Sequence, residues 1–509
     1  MFDFNDILIF FKKNFKRKDF LLIFLIVIVY LLTRLINLDK FPVFCDEGIY
    51  IHWAKIAWHD APMRFVSLTD GKQPLQTWAT IPFLKLFPNN ALLAGRLFSV
   101  SVGLLALTGI FSLLYYLFGK KTAFIGAIFY VFTPFFLFYD RMALTDSAVN
   151  AGFIWVLFFS ILLINALRLD IALLFGLIAG IALLTKSSAQ MFIALSLLAP
   201  IIIVARTGIK KNFNKIINFI ILYLLVVFMS FAIYNIQRLS PYLHYVTIKN
   251  ATFLMTFSEF IKNPFSQFWG NFKIVPLYIF WESGGIIITI VGLIGLVSLY
   301  KRSKGLFLYL IAWFIVPFTA ICFLSKVVFP RYLIFFASLL IIFASVLIAD
   351  LKKKLFIIVF AVVIGSFLFL DYPILFDFKS ISLPPVDRGQ YIEGVTAGWH
   401  LDELMDFARK QSATKPVIIL AEGNFGVIGD MLDVFLKPGD KIEVRGYWPL
   451  DEKSLLDNQK ELKNKYVYIV FSHRTEFPPE WPMHFVKKYS KPLGKEAIYL
   501  YELLPSKFK

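Results

Sequence analysis

Cysteine and histidine are scarce in this chain, which has two cysteines (Cys45 and Cys322) and six histidines in 509 residues. They leave no disulfide framework and no cysteine-rich metal site. Charge is also scarce: 17% of residues carry it, against roughly 25% in a soluble domain. Acidic residues number 34 against 52 Lys and Arg, giving a net charge of +18. That excess does not point to nucleic acid, because the basic residues stand in short clusters between apolar stretches. Apolar residues are abundant: 58% of the chain is hydrophobic and 18% aromatic. Several stretches exceed the ~18 apolar residues needed to cross a bilayer, so the chain reads as an integral membrane protein. It has neither solenoid-type repeats nor low-complexity segments.

Hydropathy predicts about eleven transmembrane helices. They cover residues 21–36, 92–117, 122–139, 147–167, 171–185, 191–205, 216–236, 285–300, 306–324, 333–349 and 355–370. With a cytoplasmic N-terminus, Lys120-Lys121, Arg168, Arg206 with Lys210-Lys211, Lys301-Arg302 and Lys352-Lys353-Lys354 all fall on the inside, as positive-inside topology requires. Lys12-Lys13 and Lys16-Arg17-Lys18 precede the first span as in a signal peptide, but no small-residue cleavage site follows it, so an uncleaved span is expected. Residues 1–371 then form a transmembrane domain with outer loops 39–90 and 237–281. Residues 372–509 mix a helical pattern (402–410) with β-rich runs (417–420, 442–444, 466–471, 498–501). They read as a small soluble α/β domain on the extracytoplasmic side. Stretches 48–58 and 75–87 are amphipathic, with Trp53, Trp58 and Trp78 suited to the headgroup level.

Ionisable residues concentrate at the outer ends of these spans. Asp46 and Glu47 follow the first span, where they suit either a helix N-terminus or a base or metal ligand facing a lipid-borne substrate. Lys72 lies in the turn Asp70-Gly71-Lys72-Gln73-Pro74, either snorkelling or neutralising a phosphate. Asp140, Arg141 and Asp146 join the third and fourth spans, Lys186 ends the fifth, Glu282 precedes the eighth and Arg331-Tyr332 begins the tenth. Carboxylates and cations around one mouth suit a reaction in which a phosphate leaves and an incoming hydroxyl loses a proton. His52 and His400 each sit near a tryptophan, where a packing role is the ordinary one and metal ligation the exception.

On these residues the chain resembles the polyprenyl-phosphate-sugar-dependent glycosyltransferases of the GT-C fold, among them protein O-mannosyltransferases and bacterial lipid A aminoarabinose transferases. The matching residues are Asp46-Glu47, Gly71-Lys72-Gln73-Pro74-Leu75 with Trp78, Arg96-Leu97 and Arg141-Met142-Ala143-Leu144-Thr145-Asp146. Leu184-Thr185-Lys186, Pro330-Arg331-Tyr332 and Gln390-Tyr391-Ile392-Glu393-Gly394 extend the match over nearly the whole length. The family usually has Lys-Pro-Pro-Leu where this chain has Lys72-Gln73-Pro74-Leu75.

The resemblance implies transfer of a sugar from a polyprenyl-phosphate donor to a hydroxyl of a lipid, glycan or protein, by a single inverting displacement at the extracytoplasmic face of the plasma (inner) membrane. Asp46 would be the base, with Glu47, Asp146 and Asp140 as further catalytic carboxylates; Glu47 and Asp146 would position the acceptor or a divalent cation. Lys72 and Arg331 would hold the donor phosphate, with Lys186, Tyr332 and Arg141 as further candidates. No organic cofactor is implied, and the metal ligands stay undefined. The main alternative is a secondary transporter, which would carry inverted repeats and midplane ionisable residues; neither is evident.

Overall fold

The computed structural model describes residues 14–423, 428–493 and 496–505. Lys12 and Lys13 lie outside the described residues. In chain order, helix α1 (Arg17–Leu35) leads through a short strand β1 (Val43–Phe44) into α2 (Cys45–His59), α3 (Leu75–Leu86) and α4 (Ala91–Phe118). Then come α5 (Lys120–Phe132), α6 (Pro134–Tyr139), α7 (Asp146–Ala166), α8 (Leu169–Leu183), α9 (Ala189–Ser196), α10 (Ile201–Thr207) and α11 (Ile209–Tyr234). The second outer loop holds α12 (His244–Phe253), α13 (Phe257–Lys262) and α14 (Phe268–Glu282). The bundle closes with α15 (Ile286–Arg302), α16 (Lys304–Leu324), α17 (Ile334–Asp350) and α18 (Lys353–Phe376).

Every stretch predicted to span is mostly helical, but among the described residues seven helices are long and apolar enough to cross a membrane, with α9 and α10 together counted as one (Ala189–Thr207) and α17 counted from Pro330. The number is eight if α14 and α15, bent by 101°, form one span. The other segments fall short for physical reasons. α1 carries Arg17, Lys18, Asp19 and Arg34, α8 has 15 residues, and stretch 122–139 breaks where Pro134 cannot continue the ladder of α5. α7 and α17 form the centre of the bundle, with 83% of their apolar windows buried. α18, at 17%, turns most of its apolar surface outward.

After α18 the chain returns to the helices before leaving them. Ile381, Leu383, Tyr391 and Ile392 join the bundle core. Strand β2 (Ala397–Gly398), which follows the short α19 (Pro385–Arg388), pairs antiparallel with β1, Phe44 opposite Ala397. α18 runs to Phe376, and the segment that follows it is tied to the bundle core before the sheet begins. Beyond β2 lie α20 (Leu401–Ser412), β3 (Val417–Glu422), α21 (Gly429–Asp433), β4 (Ile442–Tyr447), α22 (Glu452–Gln459), β5 (Tyr466–Phe471), β6 (Met483–Ser490) and β7 (Ala497–Leu503).

These strands form a five-stranded sheet in the order β4-β3-β5-β7-β6. β3 runs parallel to β4 and β5, and β7 is antiparallel to its neighbours. β3 is buried at all six positions, as its unbroken apolar run requires of a central strand. β6 was not foreseen; its Lys487 and Lys488 suit an edge strand, where charge blocks further pairing.

α2 lies between bundle and sheet. Ile49, Tyr50 and Trp53 pack into the bundle core, while Ile51 and Ala54 pack into the core shared with the sheet. The amphipathic stretch 48–58 is thus helical as expected, but Trp53 is buried rather than at a headgroup level. α21 covers this helix: a Cβ at Gly48 would lie 3.0 Å from the Met431 nitrogen, and His52 and Lys55 pair with Asp433 at 3.1 and 3.2 Å.

Candidate active site

Asp46 lies in the first turn of α2, where the helix dipole favours negative charge. The β1–β2 pairing fixes that turn, and Cys45 N–H donates to the Thr396 carbonyl at 3.0 Å. One Asp46 oxygen stands 3.1 Å from Lys72 Nζ and the other 2.8 Å from Arg331 Nη2. Lys72 reaches it from a turn locked by Gly71. That glycine has φ +66°, and a Cβ there would come 2.5 Å from the Tyr245 carbonyl oxygen, so α12 can close over the turn only because the residue is glycine. Asp70 ties the turn to α12 through Lys249 at 2.7 Å.

Arg331, just before α17, packs its guanidinium over Phe44 and Tyr332 and donates to the Tyr391 hydroxyl at 3.3 Å. Lys186 Nζ also stands over Tyr332, 3.9 Å from the ring centroid, and lies 3.4 Å from Asp146 Oδ1. Lys72, Asp46, Arg331, Tyr332, Lys186 and Asp146 therefore form one connected group. They were drawn together from five separate parts of the chain.

Burial by itself would raise the Asp46 pKa. Lys72 and Arg331 outweigh it and hold the carboxyl well below the usual carboxylate range. Burial would lower the pKa of Lys72, but Asp46 raises it above the ordinary lysine value. The neighbouring Cys45 thiol is pushed up to about 12, chiefly by burial, so it is a neutral thiol and no nucleophile.

Three residues expected at the site are elsewhere. Glu47 is fully buried and engaged: Arg96 donates to both its oxygens, and the Phe44 and Ala143 N–H groups donate at 3.0 and 2.7 Å. It anchors the turn that presents Asp46. Asp140 is enclosed behind the site, 3.3 Å from Arg34 and accepting from Ser147 at 2.8 Å. Arg141 donates to the carbonyls of Thr33, Ile36 and Asn37, the unpaired end of α1, where a cation complements the dipole. It caps the end of that helix.

Other residues had no role assigned from sequence. Tyr391 lies in a quoted tail motif, and its hydroxyl proves to be the partner of Arg331. Arg34 had a signal of its own, a cation inside the first apolar stretch. Asp387 accepts from Tyr139 at 3.1 Å, and burial pushes its carboxyl up to about 7. Glu282 is fully buried, and among the described residues neither of its oxygens has a hydrogen-bond partner.

The carboxylates do not fit a metal centre. Glu47 is consumed by Arg96, Asp146 pairs with Lys186, His52 with Asp433 and His400 with Glu403. Among the described residues no three His, Cys, Asp or Glu side chains are grouped to hold a cation. Nor do the paired charges sit mid-helix, as a transporter would need. Asp46 and Asp146 begin helices, Lys186 follows one and Arg331 precedes one.

Residues 71–234 match the family described as dolichyl-phosphate-mannose-protein mannosyltransferase. The matched range holds Lys72, Asp146 and Lys186 but neither Asp46 nor Arg331. No curated protein sequence matches the chain. Among solved structures, ArnT from Cupriavidus metallidurans bound to undecaprenyl phosphate is similar at 15% identity and TM-score 0.62, over 94% of this chain and 97% of that one. The archaeal oligosaccharyltransferase AglB from Archaeoglobus fulgidus, in complex with an inhibitory peptide and a dolichol-phosphate, is similar at 12% identity and TM-score 0.53, over 90% and 70%. A complex of the Archaeoglobus enzyme with Zn and sulfate is similar at 12% identity and TM-score 0.51, over 88% and 67%. The chain thus has the fold of the GT-C glycosyltransferases represented by ArnT and AglB, and over residues 71–234 the sequence pattern of the protein mannosyltransferase family.

Proposed function

We propose that this chain is an integral membrane glycosyltransferase. It moves a sugar from a polyprenyl-phosphate donor to a hydroxyl of a lipid, glycan or protein acceptor at the extracytoplasmic face of the plasma (inner) membrane. The observation that carries the reading is Asp46 held between Lys72 and Arg331, with the Asp146–Lys186 pair beside it. The undecaprenyl phosphate bound to ArnT and the dolichol-phosphate bound to AglB support the donor class.

In this reading Lys72 and Arg331 receive the donor phosphate. As the bond from the anomeric carbon to the phosphate oxygen breaks, a second negative charge develops on the departing lipid phosphate. Fixed cations in a water-poor site stabilise that charge more than they stabilise the bound donor. The acceptor oxygen attacks the anomeric carbon from the opposite face, its proton passes to Asp46, and the configuration inverts. Lys186 and Tyr332 flank the leaving phosphate, while Asp146 orients the acceptor.

The ion pairs of the free protein bear on timing. Lys72 and Arg331 together keep Asp46 a poor base. An arriving phosphate competes for both cations, so the basicity of Asp46 rises toward the ordinary carboxylate range once the donor is in place. The route draws on the chain's own charges throughout. The test uses the purified protein in nanodiscs with radiolabelled polyprenyl-phosphate sugars, following release of free polyprenyl phosphate. Turnover with at least one donor that vanishes in Asp46→Asn is the expected result, and equal turnover in the variant would refute the assignment.

A further inference from the structure

The helix that follows Lys72 buries a polar stripe. Gln76, Thr77 and Thr80 recur at the spacing of one helical face and are 1%, 0% and 0% exposed, and Gln73, two residues before the helix, is 4% exposed. Pro82 and Leu86 are exposed on the same helix, so its buried face carries polar residues while some apolar ones lie outside. Thr80 is satisfied, its hydroxyl donating to the Gln76 carbonyl at 2.8 Å. The remainder of the stripe is unpaired. Among the described residues, both amide atoms of Gln73 and of Gln76, and the hydroxyl of Thr77, have no hydrogen-bond partner, and the Ser67 hydroxyl brings the total here to six buried polar atoms.

Ser67 belongs to the same neighbourhood: its carbonyl accepts the N–H of Lys72 at 3.0 Å. The segment is also held relative to the cations, because Leu75 N–H donates to the Leu184 carbonyl at 3.0 Å, in the turn that carries Lys186. Buried amides and hydroxyls are ordinarily satisfied, so unpaired atoms concentrated beside Lys72 mark a place for a polar occupant. Their chemistry says which kind. A phosphate offers only acceptors and would leave the two amide oxygens unpaired. Sugar hydroxyls both donate and accept, and meet amide pairs and hydroxyls in kind.

We infer that Gln73, Gln76 and Thr77, with Ser67, form the subsite that takes the hydroxyls of the donor's sugar, next to the phosphate held by Lys72; this rests on the transfer reading above. Equilibrium binding in nanodiscs tests it with two probes, bare undecaprenyl phosphate and a panel of polyprenyl-phosphate sugars. Wild type is expected to bind at least one sugar-bearing lipid more tightly than the bare one. Gln76→Met and Thr77→Val, both near-isosteric, are expected to weaken that sugar-bearing lipid by about tenfold or more and to leave bare undecaprenyl phosphate unchanged. Their melting temperatures should hold or rise, because each removes unpaired buried polar atoms. Equal weakening of both probes would overturn the subsite, as would a lower melting temperature with both affinities unchanged. A wild type that binds the bare lipid but gains nothing from any sugar overturns it too. Failure of wild type to bind undecaprenyl phosphate at all would overturn the transfer reading along with it.

Discussion

Glu47 and Arg96 form a fully buried ion pair, with Arg96 Nε 2.8 Å from one carboxylate oxygen and Nη2 2.7 Å from the other. The pair joins α2 to α4 one residue away from Asp46. Removing one partner strands the other charge in the interior, at a cost of about 3–5 kcal/mol. Glu47→Gln and Arg96→Met should each lower unfolding stability by about that much in thermal melts, with turnover following the folded fraction. A Glu47→Gln protein that melts like wild type and turns over no donor would return Glu47 to the chemistry.

Asp46→Asn should fold normally and lose about 10²–10⁴-fold in transfer rate, the usual range for a missing general base. Binding of undecaprenyl phosphate should hold or tighten, since the amide no longer competes for Lys72 and Arg331. Labelled-lipid binding beside a turnover assay reads both effects.

Lys72→Ala and Arg331→Ala should each weaken undecaprenyl phosphate binding, by about tenfold or more, through loss of a charge-assisted hydrogen bond. Arg331→Lys should not restore it. The guanidinium reaches Asp46 and Tyr391 with separate nitrogens, and an ammonium cannot span both.

Arg141→Ala should destabilise the protein by about 1–3 kcal/mol by uncapping the carbonyls that end α1. Lipid-phosphate affinity of the folded fraction should be unchanged. Reduced affinity at an unchanged melting temperature would instead make Arg141 a phosphate ligand.

His52 gives a pH signature. Burial would lower its pKa, but the Asp433 hydrogen bond and the charges of Asp433 and Asp430 raise it above the ordinary 6.5. A histidine with a raised folded pKa contributes stability that is fully present below about pH 6.5 and is lost as pH rises through the folded value. Thermal stability should therefore fall across that interval. In His52→Gln the fall should be absent.

The site was legible where the chain's own scarcity made it so. Ionisable residues at helix ends of an apolar chain are few, and Asp46, Lys72, Asp146, Lys186, Arg331 and Tyr332 prove to be neighbours. The sequence could not separate Asp46 from Glu47, because successive helical residues point about 100° apart and only the packing shows which one faces the bundle. The capping contacts of Arg141 were not legible, because its partners are carbonyls at the end of a distant helix, a contact that leaves no local pattern. The burial of Trp53 depends on its packing into the bundle core, a long-range contact that the amphipathic pattern of α2 does not show. The span count rested on apolar length alone, which neither the break at Pro134 nor the bend between α14 and α15 respects.

The pairing of Phe44 with Ala397, and of Arg331 with Tyr391, has a consequence for biogenesis. The strand that presents Asp46, Val43–Phe44, is made well before the strand that braces it, Ala397–Gly398. At about 5–20 residues per second the interval is on the order of tens of seconds. A nascent chain already threaded into the bilayer, amid lipid-linked sugars, would stay chemically silent through that interval. Competence would arrive only after Tyr391 and Ala397 have been made.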